Sequence, residues 1–541
     1  MSEPQLASEP FSPSEREILR TYFTNIDEPV FALYNLPETV KGAMFARYSR
    51  SQKSLRRLFL DEFYQGGKPS QLSEQLSDVG GARATELYDR ILTEFGDDSV
   101  AQLGGAHVAV EQASNILTKS IEWSRLGAYL EQSTRYISYD SKLGGRWRYL
   151  MEPRIAASPH ADLYRSTLDA IFQAYSDSLP AMLSYYRGRY PQQPGDSDRV
   201  WRSTIKAKAC DALRGMLPAA TISNLGIFAS GQTFENMLIR MKASPLGEVR
   251  SVAEAMLREL NGVIPQFVQR VELPDRGGSW TAYLRDTRQR VASLATRVLH
   301  DQIPEAVEGV TLVNWDPDAE EDLVAAILYS ACDLPELQLK AVAAEMSEAD
   351  RLALIRAYVG ERRNRRHKPG RAFERVVYRF DLLSDYGAFR DLQRHRMLTI
   401  EWQPLSPVHG YVLPEDVVSA GLEDTFREAM ERSEALWAQL QRDLPDESQY
   451  AVCFAHRVRS VVQLNAREAM HLIELRSSPQ GHVSYRTTAQ EMWRQIRDVA
   501  GHRAIAGAMT FVDFGEVDLE RLQAERRAEG KRQLQASRHE P

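Results

Sequence analysis

Between Val376 and Asp385 apolar and polar side chains alternate. Val376, Tyr378, Phe380 and Leu382 fall on one face while Val377, Arg379 and Asp381 fall on the other, the period of a half-buried strand. The period then changes. Tyr386, Phe389 and Leu392 recur at helical spacing, with Ser384 or Asp385 placed to cap the first turn. Three adjacent cation-capable residues, Arg394, His395 and Arg396, stand where that helix ends. One basic group there would simply complement the helix dipole. Three in a row fit an anion or cofactor pocket as well, because Arg offers a planar fork to phosphate and His can donate or shuttle a proton.

The same order recurs earlier in the chain. Ala106 to Glu111 reads as a strand and Ala113 to Trp123 as a helix, ending in Trp123-Ser124-Arg125. A second pair of segments repeats too: Lys242-Ala-Ser-Pro-Leu-Gly-Glu-Val precedes Ala253-Glu-Ala-Met, and Arg476-Ser-Ser-Pro-Gln-Gly-His-Val precedes Ala489-Gln-Glu-Met. Two motifs in the same order predict a tandem duplication. The first copy is placed at about 15–295 and the second at about 310–515, with residues 1–14 disordered and 516–541 a charged helical tail. Breaks are predicted at Gly66-Gly67, at Gly80-Gly81, at the turn Gly96-Asp97-Asp98-Ser99-Val100, across Tyr190 to Asp198, and at Leu273-Pro274. The fold class this implies is α+β, two copies of a helix-rich domain with an antiparallel sheet, paired as a pseudo-dimer.

Composition narrows the picture. The 541 residues exceed one ordinary core. With 67 Lys+Arg against 74 Asp+Glu the net charge is -7, so no nucleic-acid partner is expected and any basic site is local. Cys210, Cys332 and Cys453 lie far apart without a CxxC, which excludes a zinc ribbon or disulfide scaffold and fits a reducing cytoplasm. The polar start lacks a signal peptide, and no apolar run approaches the roughly 20 residues that span a bilayer. No His-x-x-x-His or His–carboxylate spacing marks a metal site, and no GxGxxG or phosphate loop is present.

Several of these residues resemble the flavin-dependent thymidylate synthases, whose signature is close to arg-his-arg-x-x-ser-x-asn-glu-gln-ser-x-arg-tyr. The two copies split it. The first keeps Glu131-Gln132-Ser133-Thr-Arg135-Tyr136 but has Trp123-Ser124-Arg125 at the triplet. The second keeps Arg394-His395-Arg396 but continues Glu401-Trp402-Gln403-Pro404. Gly96 to Val100 is similar to the family's gly-his-x-ser-val turn with Asp97 for His, and Arg214-Gly-Met-Leu-Pro218 to its arg-x-x-leu-pro element. Asn465-Ala-Arg467, His471 and Arg476 are similar to its cofactor segment and pyrimidine-activating arginine, whereas the first copy reads Ser230-Gly231-Gln232-Thr233 and Lys242.

The losses are complementary. Family sites lie between subunits, so the resemblance implies one composite site joining Arg394, His395, Arg396, Asn465, Arg467, His471 and Arg476 to Glu131, Gln132, Ser133, Arg135 and Arg214, with its counterpart dead. It also implies FAD, with NADPH and methylene-tetrahydrofolate as co-substrates, methylation of dUMP or a related pyrimidine nucleotide, and a homodimer with a tetramer-like assembly. Arg476 would be catalytic, the triplet, Asn465, Arg467 and His471 cofactor-binding, and Glu131, Gln132, Ser133, Arg135 and Arg214 substrate-binding. The alternative is a flavin or nucleotide binder without turnover, since Pro404 stands at the Ser position and Trp402 can fill the pocket. Two further features carry their own alternatives. The run Arg362 to Lys368 either steers anions or RNA or is a locally compensated loop. Cys453, in an apolar flank, reads as an inert buried thiol.

Overall fold

The structure is a computed structural model and describes residues 10–27, 31, 33–38, 40–41, 44, 53–64, 102–194, 196–305, 307 and 309–515. The expected breaks at Gly66-Gly67 and Gly80-Gly81, the turn Gly96 to Val100 and the tail 516–541 lie outside these residues. Among the described residues no helix is long and apolar enough to cross a membrane.

In each copy a strand runs into a residue whose side chain caps the next helix, and this happens twice. Strand β1 (Gly105–Ser114) ends on Ser114, which accepts from the Leu117 amide and starts α1 (Asn115–Glu122). After β2 (Ala128–Glu131), the long helices α2 (Ala161–Arg189) and α3 (Asp198–Leu213) lead to β3 (Ile222–Ser230). Ser230 caps α4 (Gly231–Lys242), and α5 (Gly247–Asn261) follows. The expected break falls at Glu272 and Leu273, after which a π-helical turn, Pro274–Gly278, runs directly into α6 (Ser279–Val298).

The second copy opens with β4 (Val310–Asn314) and three helices, α7 (Ala319–Tyr329), α8 (Glu336–Glu345) and α9 (Glu348–Val359). The strand–cap–helix unit then returns as β5 (Val377–Asp385), Asp385 and α10 (Tyr386–Leu392), followed by β6 (Leu398–Trp402). After α11 (Glu423–Asp443) it appears again as β7 (Arg457–Asn465), Asn465 and α12 (Ala466–Arg476), with α13 (Val483–Asp498) behind it. Short polar side chains suit all four caps because their oxygens satisfy an amide that the helix leaves unpaired.

Among the described residues two small antiparallel sheets form, so the fold is α+β. Their strand orders are β1-β3-β2 and β4-β5-β7-β6. With β1, β2 and β3 corresponding to β5, β6 and β7, the order is the same in both copies, and among the described residues β4 has no counterpart in the first sheet. The alternation expected at 376–382 is present: Tyr378, Phe380 and Leu382 are buried, and the intervening residues are exposed or half-exposed. Phe380 lies opposite Val462 in the β5–β7 ladder. The first copy's helix starts two residues later than expected, since Ala113 is still a strand residue and the cap is Ser114.

By contact density the chain forms two compact units, which differ from the two sequence copies. One comprises Met1–Glu111, Leu126–Leu130 and Leu225–Asp301; the other comprises Gln112–Arg125, Glu131–Asn224 and Gln302–Pro541. In the first, Leu19, Tyr22, Phe23, Leu58 and Phe59 close an aromatic-rich core. A helix begins there at Pro13, fixed by a capping box between Ser12 and Glu15, so order starts before residue 15. The second unit contains segments of both copies. Within it, α2 packs on α3 and α11.

One feature of the second unit shows how the copies meet. Pro218 bridges Cys453, and each stands twelve positions before the helix cap that follows it, Ser230 and Asn465. Around that point Ala219 N donates to Val452 O at 2.8 Å and Phe454 N to Leu217 O at 2.9 Å. Equivalent segments pairing antiparallel about equivalent residues define a local twofold.

Candidate functional site

The helix α10 ends at Leu392, so Arg394, His395 and Arg396 leave it just before β6. Glu131, the last residue of β2, is buried and accepts from Arg390 Nη2 and Arg394 Nη2, each at 2.9 Å, and from Lys119 Nζ at 3.1 Å. Lys119 also pairs with buried Glu122. Burial alone would raise the Glu131 carboxyl, but Arg390, Lys119 and Arg394 outweigh it and hold the group well below the usual carboxylate range. Here a residue kept by the first copy meets the triplet kept by the second.

A second cluster lies among Asp211, Asp391 and three arginines. Asp211 takes Nε and Nη2 of Arg135, both at 2.9 Å, and faces Arg214 Nε at 3.3 Å. Asp391 faces Arg214 Nη1 at 3.8 Å and Arg476 Nη1 at 3.4 Å. Burial opposes the charge on both aspartates, yet Arg135 at Asp211, and Arg214 and Arg476 at Asp391, keep them ionised below their ordinary range. Tyr485 joins the arginines: its hydroxyl accepts from Arg135 Nη1 at 3.0 Å, and Arg476 lies 5.5 Å from its ring centre.

Arg476 ends α12 and donates Nε to His395 Nε2 at 3.0 Å. A guanidinium only donates, so Nε2 is the acceptor, and the neutral ring carries its proton on Nδ1. That proton goes to Glu468 Oε1, at 2.8 Å. Burial, then Arg476 and Lys368, push His395 well below the ordinary histidine value. His471, one turn beyond Glu468, is lowered to about 4, chiefly by burial. Glu468 and His471 thus form the His–carboxylate spacing that the sequence reading failed to register. With His395 they bring metal-type ligand atoms within 4.8 Å of one another, although Arg476 and Lys368 make the surroundings unfavourable for a cation.

Not every expected site residue joins these clusters. Arg396 is exposed. Asn465 spends its side-chain oxygen on the Glu468 amide, and Arg467 turns to the Pro369 carbonyl and Glu374. Gln132 is fixed through its backbone to Asn224 O, and Ser133 Oγ accepts from the Arg135 amide. Lys119, Asp211, Arg390, Asp391, Glu468 and Tyr485 were not anticipated. The signal available for three of them was helical spacing, since Asp211 stands three residues before Arg214, Asp391 three before Arg394 and Glu468 three before His471.

Residues 41–266 and 311–501 match the family described as thymidylate synthase complementing protein. The chain belongs to this family. It is 39% identical to a UPF0159 protein of Chlamydia muridarum, over 96% of this chain and 98% of that protein. It is 32% identical to a UPF0159 protein of Thermoplasma acidophilum, over 90% of this chain and 97% of that one. A solved structure of the flavin-dependent thymidylate synthase ThyX from Helicobacter pylori, complexed with FAD and dUMP, matches with a TM-score of 0.26 and 16% identity, covering 34% of this chain and 92% of that one.

As a thymidylate synthase complementing protein with two matched regions, the chain has a second triplet position, and there the residues are structural. Trp123 Nε1 donates to Ile400 O at 3.1 Å and its ring lies 5.7 Å from Trp402, edge-on. Arg125 Nη2 donates to Thr399 Oγ1 at 3.1 Å. Trp402 also packs on Phe389. Lys242 ends α4 as Arg476 ends α12, but it pairs with Glu254 at 2.8 Å. The basic run is compensated at its start, where buried Arg362 donates both terminal nitrogens to Glu474 at 2.6 Å. Cys453 is buried and its thiol is pushed up to about 12 by that burial, which makes it a poor nucleophile.

Proposed function

We propose that this chain is an FAD-dependent, thymidylate-synthase-like enzyme that methylates dUMP, or a related pyrimidine nucleotide, from methylene-tetrahydrofolate at one composite site. The observation that carries the reading is charge. Each directly ion-paired cluster sets three cations on two carboxylates: Lys119, Arg390 and Arg394 on Glu122 and Glu131, and Arg135, Arg214 and Arg476 on Asp211 and Asp391. The two excess positive charges match a phosphate dianion, for which arginine forks are well suited.

The donors also suit an anionic dinucleotide cofactor. Arg394 keeps 40% of its side-chain surface and Arg467 keeps 37%, Arg396 is exposed, and His471 Nδ1 is buried without a hydrogen-bond partner. Arg394, Arg396, Asn465, Arg467 and His471 would hold FAD, while His395, whose two nitrogens are taken by Glu468 and Arg476, would line the cofactor's place and orient Arg476. When bound and reduced by NADPH, FAD would supply the reducing hydride, which no side chain can. Ser133 can donate its hydroxyl hydrogen to the nucleotide phosphate, and Arg214 Nη2, buried and unpartnered, is a second donor. Arg476 would stabilise negative charge on the pyrimidine as it develops, held in place by His395 and Asp391.

A second reading, a flavin or nucleotide binder without turnover, draws on one observation. The Arg135 fork is closed on Asp211, its Nη2 also donates to the Gln480 carbonyl at 3.4 Å and its Nη1 to Tyr485, so of its five N–H donors only one, on Nη1, is left for a phosphate. Purified chain supplied with FAD, NADPH, methylene-tetrahydrofolate and dUMP is expected to form dTMP, and the gene to rescue a thymidine auxotroph. Flavin binding without dTMP would favour the second reading; neither binding nor turnover would exclude both.

A further inference from the structure

Helix α6 is twenty residues long and none of them is buried. Trp280, Leu284, Thr287, Val291, Leu294 and Val298 recur along it in alternating steps of four and three, the heptad seam of a coiled coil. Trp280 is 46% exposed, Val291 59%, Leu294 49% and Val298 69%; Leu284 and Thr287 are half-buried. The helix lies between the two matched regions, 41–266 and 311–501, so its seam is additional to the family's repeated domain. A stripe of two positions in seven fits another helix, whereas a helix lying on lipid presents a broad apolar face.

We propose that the seam is covered by the same helix of a second copy of this chain, in a parallel two-stranded coiled coil. Charge sets the direction. Tyr283, Arg290 and Arg297 flank the seam on one side and Thr281, Arg288 and Ala295 on the other. In a parallel pair each residue of the first row meets the partner residue five positions on. Tyr283 then lies opposite the partner's Arg288, whose Nη2 stays on its own chain's Ala243 carbonyl, Arg290 faces the partner's Ala295, and Arg297 the partner's Gln302, with no like charges opposed. An antiparallel pair would set Arg290 against the partner's Arg290 and Arg288 against the partner's Arg288. A seam of this length spans about 30 Å and is marginal for a free helix in water. Here α6 is anchored, since Arg288 Nη2 donates to the Ala243 carbonyl at 2.5 Å.

Cysteine cross-linking of the full chain tests this. Cys210 and Cys453 are buried and Cys332 is exposed, so Cys332→Ser provides the background. Val291→Cys, on the seam, is expected to oxidise to a dimer that reductant reverses, while Ser293→Cys, on the opposite face, stays monomeric under the same conditions. Circular dichroism matching the parent verifies that each variant is folded. The proposal is overturned if folded Val291→Cys stays monomeric, or if Ser293→Cys cross-links equally well.

Discussion

Arg476 meets three groups at once: it donates to His395, pairs with Asp391 and lies against Tyr485. Lysine keeps the charge but cannot make the two directed bonds together. Arg476→Lys is therefore expected to lower dTMP formation roughly tenfold or more while nucleotide affinity falls less. Lys242→Ala, at the corresponding helix end, should leave the rate nearly unchanged, because Lys242 pairs with Glu254 instead. Equal losses at both positions would mean that both arise from something other than one working site. The buried charges also set a pH dependence. Glu131, Asp211 and Asp391 titrate below their ordinary range when folded. The unfolded carboxylates take up protons first as pH falls below about 5, so their stability contribution is complete above that range and lost beneath it. His471 is held at about 4, against about 6.5 for a free imidazole, so it adds a loss between those values. The urea midpoint should fall from pH 7.5 to pH 5 and fall further by pH 4. An unchanged midpoint would show that these groups are not held as described.

At the scale of elements, the strand–cap–helix unit aims the triplet. Asp385 Oδ1 accepts from the Ala388 amide at 2.8 Å and starts α10, two residues beyond whose end Arg394 reaches Glu131. Asp385→Ala should cost about 1 kcal/mol by loss of a cap, read as a lower unfolding midpoint, and should weaken nucleotide binding by freeing the triplet's approach. A stability loss with binding intact would detach the cap from the site. This unit was legible in the sequence, since the period changes from two to 3.6 at a capping residue. The start of α1 was less so, because Ala113 is apolar in either element and only the ladder keeps it in β1. Asp211 and Asp391 show what spacing cannot give: each neighbours an arginine locally, but their pairing with Arg135 and Arg476 comes from distant segments. Glu468 and His471 were available as a same-face pair, while His395 reaches them only through the fold.

For the whole molecule, the central claim is one nucleotide site per chain, built from residues that the two copies retain separately. The pairing of Glu131 with Arg394 and of Arg135 with Tyr485 joins the copies within one compact unit. At the other triplet position Trp123 and Arg125 are bonded into β6. Calorimetric titration of the flavin-loaded chain with dUMP tests the claim most directly. One nucleotide should bind per chain, and Arg394→Ala combined with Arg476→Ala should abolish that binding while the chain stays folded. Two nucleotides per chain, or undiminished binding in the double variant, would contradict a single composite site.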